Sequence, residues 1–593
     1  MDQPQTPPAL FLRAGLWTAV IAVPLAWSPS LWAGYTLPKL LLTACAVLLC
    51  GIGLLQRPQA GRPQGLGLAL SLCAVALAVS TLASQDYFTS LIGRYNSYEL
   101  GLCALLLYAA VYASAASLAP GSKELPSVIV AICGVLGAHA VLQRLGIDPF
   151  PPMAQLQQHR SVSTLGSPID LGAYLAMTLP LALHWAMREN PGLGWPSAAL
   201  IAGGLAATGT RGAWLGAAFG CAGYLALTLR AAPASLRKAN PLWLVLAGFL
   251  ACAAIAPIAA RDWKMGDSAR VEIWRTAWLA FQERPLLGHG PDSFEIAFRR
   301  LRTEAYCQKM GRTDAFQGHA HNDMLQALAT TGLFGAAAYL FLLASLLWAW
   351  RKTFEEPGRG ELAAGLGAGL LSLFISMKFN PVSLEVLILA AVFVGLLTSS
   401  PRAGPPSRAL GLCCLLLGTA TTGAVFQLTR ADRSFKAGHD VIRDNGHGNI
   451  AFLRFTEASR LNPYESFYRI PLVNLLGDMI NAVPDKTAKA KLLGAAIDSG
   501  QQAVTRRPQD ANSHYILGMG LLMAAQLGLN EKLAPAAASL DAALRLEPNF
   551  IPLLQMRREV AVRAGDTAKI SALSADIKRI EILTPGSPLN HLE

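Results

Sequence analysis

Gly318-His319-Ala320-His321-Asn322-Asp323-Met324-Leu325-Gln326 decides how this chain is read, because a long polar loop ends there and an apolar run reaching Trp350 begins. That run is longer than the roughly 20 residues a helix needs to cross a hydrocarbon core of about 30 Å. Asn322 is suited to cap the first turn. After nine further residues comes Gly332, and after two more Gly335. At about 100° per residue, His321, Leu325, Leu328, Gly332 and Gly335 share one face. The two glycines would let another helix approach closely beneath His321. A histidine at a water–lipid boundary can act as a general base near neutral pH, or it can simply sit at the boundary beside the cap. His319, His321 and Asp323 also form a conceivable metal set, but the spacing is no zinc pattern and no second ligand cluster accompanies it.

Outward from this stretch the apolar runs recur. The chain is 53% hydrophobic and only 15% charged, against about 25% charged in soluble globular proteins. About thirteen spanning helices are expected, near 10–28, 36–55, 66–83, 98–118, 126–143, 168–187, 195–209, 212–230, 241–259, 322–350, 361–379, 384–399 and 409–428. The fold class is all-α: a polytopic helical membrane protein with a soluble helical tail. The first run reads as a retained helix, not a cleaved signal. The net charge of +12 points to topology and not to nucleic acid, because much of it lies in short loops and no nucleic-acid motif is present. Alternate loops carry Arg57 and Arg62; Lys123; Arg188; Arg230, Arg237 and Lys238; Arg351, Lys352 and Arg359; Arg402 and Arg408. The positive-inside rule makes these cytoplasmic. The loop of about 261–321 and the C-terminal tail then face the other side. Nine of the ten cysteines lie in or beside apolar runs, so no disulfide framework is implied.

Two domains are expected, 1–429 in the membrane and 430–593 outside it. In the second, charge density rises and the apolar runs shorten. Asn462-Pro463-Tyr464, Arg507-Pro508-Gln509-Asp510 and Glu547-Pro548-Asn549 each close one helical stretch and open another. This pattern is similar to tetratricopeptide repeats with a stretched period, which stack into a surface for a protein partner. A plain helical cap is the alternative.

In the external loop, Val271, Trp274, Ala277, Trp278 and Phe281 fall on one helical face, with Glu272, Leu279 and Glu283 opposite. Arg270 projects onto the apolar face, where it must snorkel, pair, or meet an anion such as a lipid-linked phosphate. Arg211, in Thr208-Gly-Thr-Arg-Gly212, and Arg94 and Arg160 lie in other external loops. Converging arginines suit a pyrophosphate, and interfacial anchoring is the alternative. His289, in a Gly-rich turn, is expected to be structural. Glu99, Asp170, Lys378 and Glu385 lie near helix ends, open to either reading. No Gly-x4-Gly-Lys-Ser/Thr loop and no Asp-x-Asp pair occurs, so neither a nucleotide nor another cofactor is called for.

Taken together, His321-Asn322…Gly332…Gly335, Thr210-Arg211-Gly212 and Arg270 followed by Ile273-Trp274 resemble the bacterial O-antigen ligase and O-antigen polymerase superfamily, over roughly residues 60–400. Thr210 stands where the family has serine. The resemblance implies a GT-C-like inner-membrane enzyme with a large periplasmic loop. Such an enzyme transfers a glycan from undecaprenyl diphosphate to an acceptor hydroxyl with inversion and without metal. It assigns the catalytic role to His321 and pyrophosphate or substrate binding to Arg211, Arg270, Arg94, Arg160, His319 and Asn322. The acceptor, whether glycan, lipid-A-core or protein, stays open, so ligase, polymerase and protein O-oligosaccharyltransferase remain together, with ligase favoured by the complete glycine spacing. Outside that class stand a lipid-glycan flippase, which predicts charges near the bilayer midplane, and a membrane scaffold.

Overall fold

The computed structural model describes residues 7–56, 60–61, 66–118, 121–148, 160–230, 266–310, 316–399, 403–404, 408–444 and 447–583. Apolar helices dominate its first part: α1 (Pro7–Trp17), extended by a π turn at Thr18–Ala22, α2 (Leu37–Gln56), α3 (Gly67–Leu82), the short α4 (Tyr87–Ile92), α5 (Leu102–Ala116) and α6 (Glu124–Arg144). Then come α7 (Pro168–His184), α8 (Pro191–Thr208) and α9 (Arg211–Arg230). The loop region holds α10 (Gly266–Glu283), α11 (Phe294–Leu301) and α12 (Glu304–Met310), and α13 (Asp323–Phe354), α14 (Gly360–Ser376), α15 (Leu384–Thr398) and α16 (Arg408–Arg443) follow. The protein is all-α, as expected. Twelve of the thirteen expected apolar helices fall on these elements; the one at 241–259 lies outside the described residues, as do Arg57, Arg62, Arg237, Lys238 and Arg402.

Local chemistry sets the ends. Ser167 caps α7 with Pro168 in its first turn, and Asn190 caps α8 in the same way. Gly209, in the left-handed region at φ 60°, turns α8 sharply into α9. Among the described residues, four helices, Leu37–Gln56, Glu124–Arg144, Asp323–Phe354 and Arg408–Arg443, are long and apolar enough to cross a membrane. They pack with the shorter ones as α2 on α16, α9 on α14, α6 on α8 and α3 on α13. The first turns of α2, α5, α7, α9, α13 and α15 gather at one end of the bundle, where Lys39 meets Glu385 and Leu165, Thr210 meets Pro168, and Asp323 meets Lys378.

The expected boundary at 429/430 falls inside a continuous helix. At about 1.5 Å per residue, the 36 residues of α16 reach about 54 Å, well beyond a hydrocarbon core. Its apolar half packs on α2, while Ala431 and Phe435 enter the core of the tail. The tail is a stack of antiparallel helices: α17 (Gly448–Leu461), α18 (Arg469–Ala482), α19 (Lys486–Arg506), α20 (Ala511–Gln526), α21 (Leu533–Leu546), α22 (Ile551–Ala564) and α23 (Thr567–Leu583). Each packs mainly on its chain neighbours. Pro463, Pro508 and Pro548 stand in three of the turns, as their spacing suggested.

The tail is fastened to the end of the bundle where those first turns gather. Asp432 accepts from Ala33 N at 3.0 Å and from the Tyr95 hydroxyl at 2.7 Å. Glu547 pairs with Arg299 and Arg302, each at 3.1 Å. Arg507 pairs with Asp86 and donates to Thr89.

Helix α13 is broken. Gly332 sits at φ 64°, ψ −162°, a region open essentially to glycine alone. Into the break runs the segment 285–290, and the hydrogen bonds are exchanged reciprocally. Ala329 and Thr330 carbonyls, which would accept from Leu333 and Phe334, accept instead from His289 N (3.1 Å) and Gly290 N (2.8 Å). The freed Leu333 and Phe334 amides donate to Pro285 O (2.8 Å) and Leu286 O (3.3 Å). Ser80 of α3 clamps the crossing by donating to both Leu287 O and Thr330 O. Irregular backbone at this depth is tolerated because protein, not lipid, satisfies it. Thus Gly332 admits a loop, not the neighbouring helix that its spacing suggested.

Helix α10 also differs from expectation. Its buried residues are Ala269, Glu272, Ile273, Thr276, Ala277 and Ala280, while Val271 and Trp278 are exposed. The alanines pack inward with Ile273, and Val271 and Trp278 point out.

Candidate active site

The site forms where the polar loop enters α13. Asn322 caps that helix, its side-chain oxygen accepting from Met324 N and Leu325 N at 3.1 Å each, and its amide donates to Lys378 O at 3.4 Å. Asp323 is engaged by Lys378 at 2.7 Å and by the Tyr339 hydroxyl at 2.6 Å. Lys378 thereby ties the end of α14 to the start of α13.

His321 precedes the cap at φ 52°, left-handed for a residue with a side chain. Its Nε2 lies 3.2 Å from Gln317 Oε1, and its buried Nδ1 has no hydrogen-bond partner. Burial, then the positive neighbours His319 and Arg270, pushes the imidazole down to about 3. The ring is therefore neutral at physiological pH, with a lone pair or proton at Nδ1 that nothing in the protein uses. An anion brought beside Arg270 would offset that arginine's field and raise the basicity of His321.

This shift carries a stability consequence. The unfolded chain takes up a proton near pH 6.5 that the folded ring refuses until about 3. Stability is therefore lost as pH falls through that window. His321→Gln, which cannot titrate, should show a shallower fall in Tm between pH 6.5 and 5 than the wild type; identical slopes would place the His321 pKa near its ordinary value.

His319, two residues earlier, turns away. Its Nε2 lies 2.5 Å from Glu99 Oε1. Burial pushes the Glu99 carboxyl up, but His319 and Arg94 outweigh it and hold the group below the usual range. His319, His321 and Asp323 thus each face a different partner.

His321 lines a cavity of about 350 Å³ between α3, α5, α13 and the α14–α15 junction. Its walls are mostly apolar, including Leu77, Leu100, Leu105 and Leu342, and its polar end is made by His319, His321, Asn322 and Asn380. Arg211 begins α9 nearby: a Cβ on the adjoining Gly212 would lie 2.3 Å from Asn380 Nδ2. Arg160 donates to Thr208 O at 2.8 Å and to Thr210 Oγ1 at 2.9 Å. Burial, then Arg211 and Arg270, pushes its guanidinium down. Arg211 and Arg270 are therefore both within Coulomb range of Arg160, and Arg270 also acts on His321. Like charges so gathered raise one another's cost, which an anion would offset.

Arg94, the fourth, stands apart. Its guanidinium pairs with Glu295 at 3.2 Å, and its backbone N donates to Asp292 at 2.7 Å. Gly318 packs directly on that guanidinium. Residues 196–340 match the family model described as O-antigen ligase. Within this matched segment lie Arg211, Arg270, His319, His321, Asn322 and the Gly332 break, whereas Arg94 and Arg160 lie outside it. A stretch of 87 residues is 29% identical to an uncharacterized protein of Haemophilus influenzae, covering 15% of this chain and 21% of that protein. The match thus spans about a fifth of that relative's length.

Several residues escaped sequence reasoning. Asp292, buried at φ 54°, is pushed up to about 6 by burial, against Arg94 and His319. Lys39 pairs with Glu385 at 3.0 Å inside the bundle. No sequence pattern linked them, since they are 346 residues apart. Lys39, Asp170 and Glu385 all lie in the first turns of their helices, at the site end of the bundle. His289 is buried with Nε2 3.1 Å from Ala280 O, and burial pushes it down to about 4. That fits the structural role expected of it.

Proposed function

We propose that this protein is a glycosyltransferase of the O-antigen ligase type in the bacterial inner membrane. It moves a glycan from undecaprenyl diphosphate to an acceptor hydroxyl at the periplasmic face. The observation that carries the reading is the apolar cavity whose polar end holds neutral His321, with Arg270 in Coulomb range of His321 and both Arg211 and Arg270 in Coulomb range of Arg160. A polyprenyl chain fits the apolar walls, and a diphosphate suits converging guanidiniums.

In this reading the arginines bind the diphosphate and stabilise the charge that grows on it as the glycosidic bond breaks. His321 accepts or orients the acceptor proton, its basicity raised once the anionic donor offsets Arg270. Attack on the anomeric carbon from the face opposite the diphosphate inverts its configuration. The diphosphate leaves as a good leaving group, so no metal and no nucleotide is required. Asn322 and His319 position the loop, Asn322 through the cap and His319 through Glu99. Val271 and Trp278 on the outer face of α10 suit lipid contact at the interface. The tail, read as tetratricopeptide-like and periplasmic, offers a surface for a protein partner.

The test supplies purified protein with labelled undecaprenyl-diphosphate glycan and, in separate arms, lipid-A-core, a second lipid-linked glycan or a candidate protein. Product in the first arm is expected and marks a ligase. Product only in the second marks a polymerase, and only in the third a protein O-oligosaccharyltransferase. No product in any arm, with lipid donor bound, overturns the reading.

A further inference from the structure

A second cavity, of about 320 Å³, lies between the end of the bundle and the tail, within the size range of small-molecule sites, roughly 300–1,000 Å³. We infer that it is a saccharide subsite whose outer wall the C-terminal helices supply. This rests on the transferase reading and names where a sugar sits in it.

The lining has the chemistry of sugar recognition. Trp32 and Phe316 are 41% and 42% exposed, large aromatic surfaces at a cavity where a pyranose ring can lay its C–H face. Buried Asp292 uses only one carboxylate oxygen, on Arg94 N, and leaves Oδ1 unpartnered; the buried Nε of Arg94 is unpartnered too. An acceptor and a donor, desolvated and unsatisfied in one cavity wall, call for a group that both donates and accepts, as a hydroxyl does. Acidic side chains (Asp292, Glu295, Glu465, Asp510) and basic ones (Arg94, Arg299, Arg507) line the cavity together, which disfavours a simple anion and suits a neutral polyol.

Position supports the same conclusion. Asp292 lines both this cavity and the His321 cavity. Arg94 lines this cavity, and its guanidinium lies against Gly318, three residues before His321. A sugar bound here is therefore one layer of side chains from His321. Gln509 and Asn512 of the tail line the far wall, held in place because Arg507 is clamped to Asp86 and Thr89. The tail is thus part of the site and more than a platform beside it.

The sugar can come from the acceptor or from the distal part of the donor glycan. Binding to full-length protein is measured by saturation-transfer NMR with two lipid-free probes, deacylated core oligosaccharide and the oligosaccharide released from the donor. Wild type and His321→Ala should both bind one of them. Trp32→Ala and, should that variant fold poorly, Asn512→Ala should weaken binding tenfold or more. In the transfer assay the same variants should raise the KM of the matching substrate tenfold, with kcat within threefold. The core probe binding assigns the subsite to the acceptor, and the donor-derived probe assigns it to the donor. Binding of neither at millimolar concentration, binding indifferent to both variants, or displacement of neither probe from a site that instead takes acceptor peptide would overturn the inference. Saccharide binding lost in the variants, with no transfer in any arm, would leave the subsite standing and remove the transferase reading.

Discussion

Replacing His321 by alanine should lower glycan transfer a hundredfold or more while leaving the protein folded. A positioned general base contributes about 10²–10⁴ in rate, which is about 3–5 kcal/mol of barrier. Three observations set the expectation at His321 and not at His319 or His289. His319 is committed to Glu99, and His289 is closed in by the Ala280 carbonyl. His321 lines the apolar cavity with no ion-pair partner, with its Nδ1 free of any hydrogen-bond partner and with Arg270 in range. Its side chain makes one hydrogen bond, to Gln317, so its loss should move Tm little, and the cap remains with Asn322. Alanine at φ 52° inherits the same backbone strain, so that cost largely cancels. Transfer within severalfold of wild type, at unchanged Tm, would remove His321 from the reaction.

The same expectation distinguishes His321 from the arginines around it. Losing one of three guanidiniums leaves two, so Arg160→Ala or Arg211→Ala should cost less than the histidine. The loss of Arg270 should also relax the depression of the His321 pKa.

Much of this site was legible because its signals are local. Asn322 before an apolar run predicts a cap, and the run predicts the helix. Loop parity alone placed Arg160, Arg211 and Arg270 on the side of His321, and their electrostatic coupling in the fold agrees with that placement. What the sequence hid depends on distant or unusual partners. Lys39 and Glu385 meet only in the packed bundle. Asp292 gains its raised pKa from burial beside Arg94, nearly two hundred residues away. Helix α10 misled for a different reason. The most apolar face of a helix turns inward when water lies outside, but at a lipid surface the large apolar residues face out. The small ones, Ala269, Ala277 and Ala280, then pack against protein. The expected tail boundary falls within α16 because composition changes in the middle of that helix while the helix itself does not stop.

The glycine pair in α13 gives the second large effect, and the two members should behave differently. Spacing makes Gly332 and Gly335 look equivalent, as small residues on one helical face. The fold separates them. At Gly332 a Cβ would lie 2.4 Å from the Leu286 carbonyl carbon and 2.6 Å from Leu287 N, both backbone. Its φ and ψ already cost a residue with a side chain about 1–3 kcal/mol. Relief requires expelling the segment 285–290, which would break four reciprocal hydrogen bonds and leave Ala329 O, Thr330 O, Leu333 N and Phe334 N to re-pair. A buried backbone group left unpaired costs about 1–3 kcal/mol. Gly332→Ala should therefore destabilise by at least about 3 kcal/mol on these figures, lowering the yield of folded protein and displacing the loop that carries Asp292. At Gly335 the nearest atoms belong to the Thr331 side chain, at 2.0 and 2.2 Å. The Thr331 hydroxyl can move by a rotamer change, but its Cβ is fixed by the backbone, so Gly335→Ala also needs a small shift within α13; it breaks none of the crossing hydrogen bonds and should cost about 1–3 kcal/mol as overpacking. Comparing Tm and monodisperse yield of the two variants checks this. Equal losses would mean that the break in α13 is not what holds the loop, and a harmless Gly332→Ala would mean that the helix runs through unbroken.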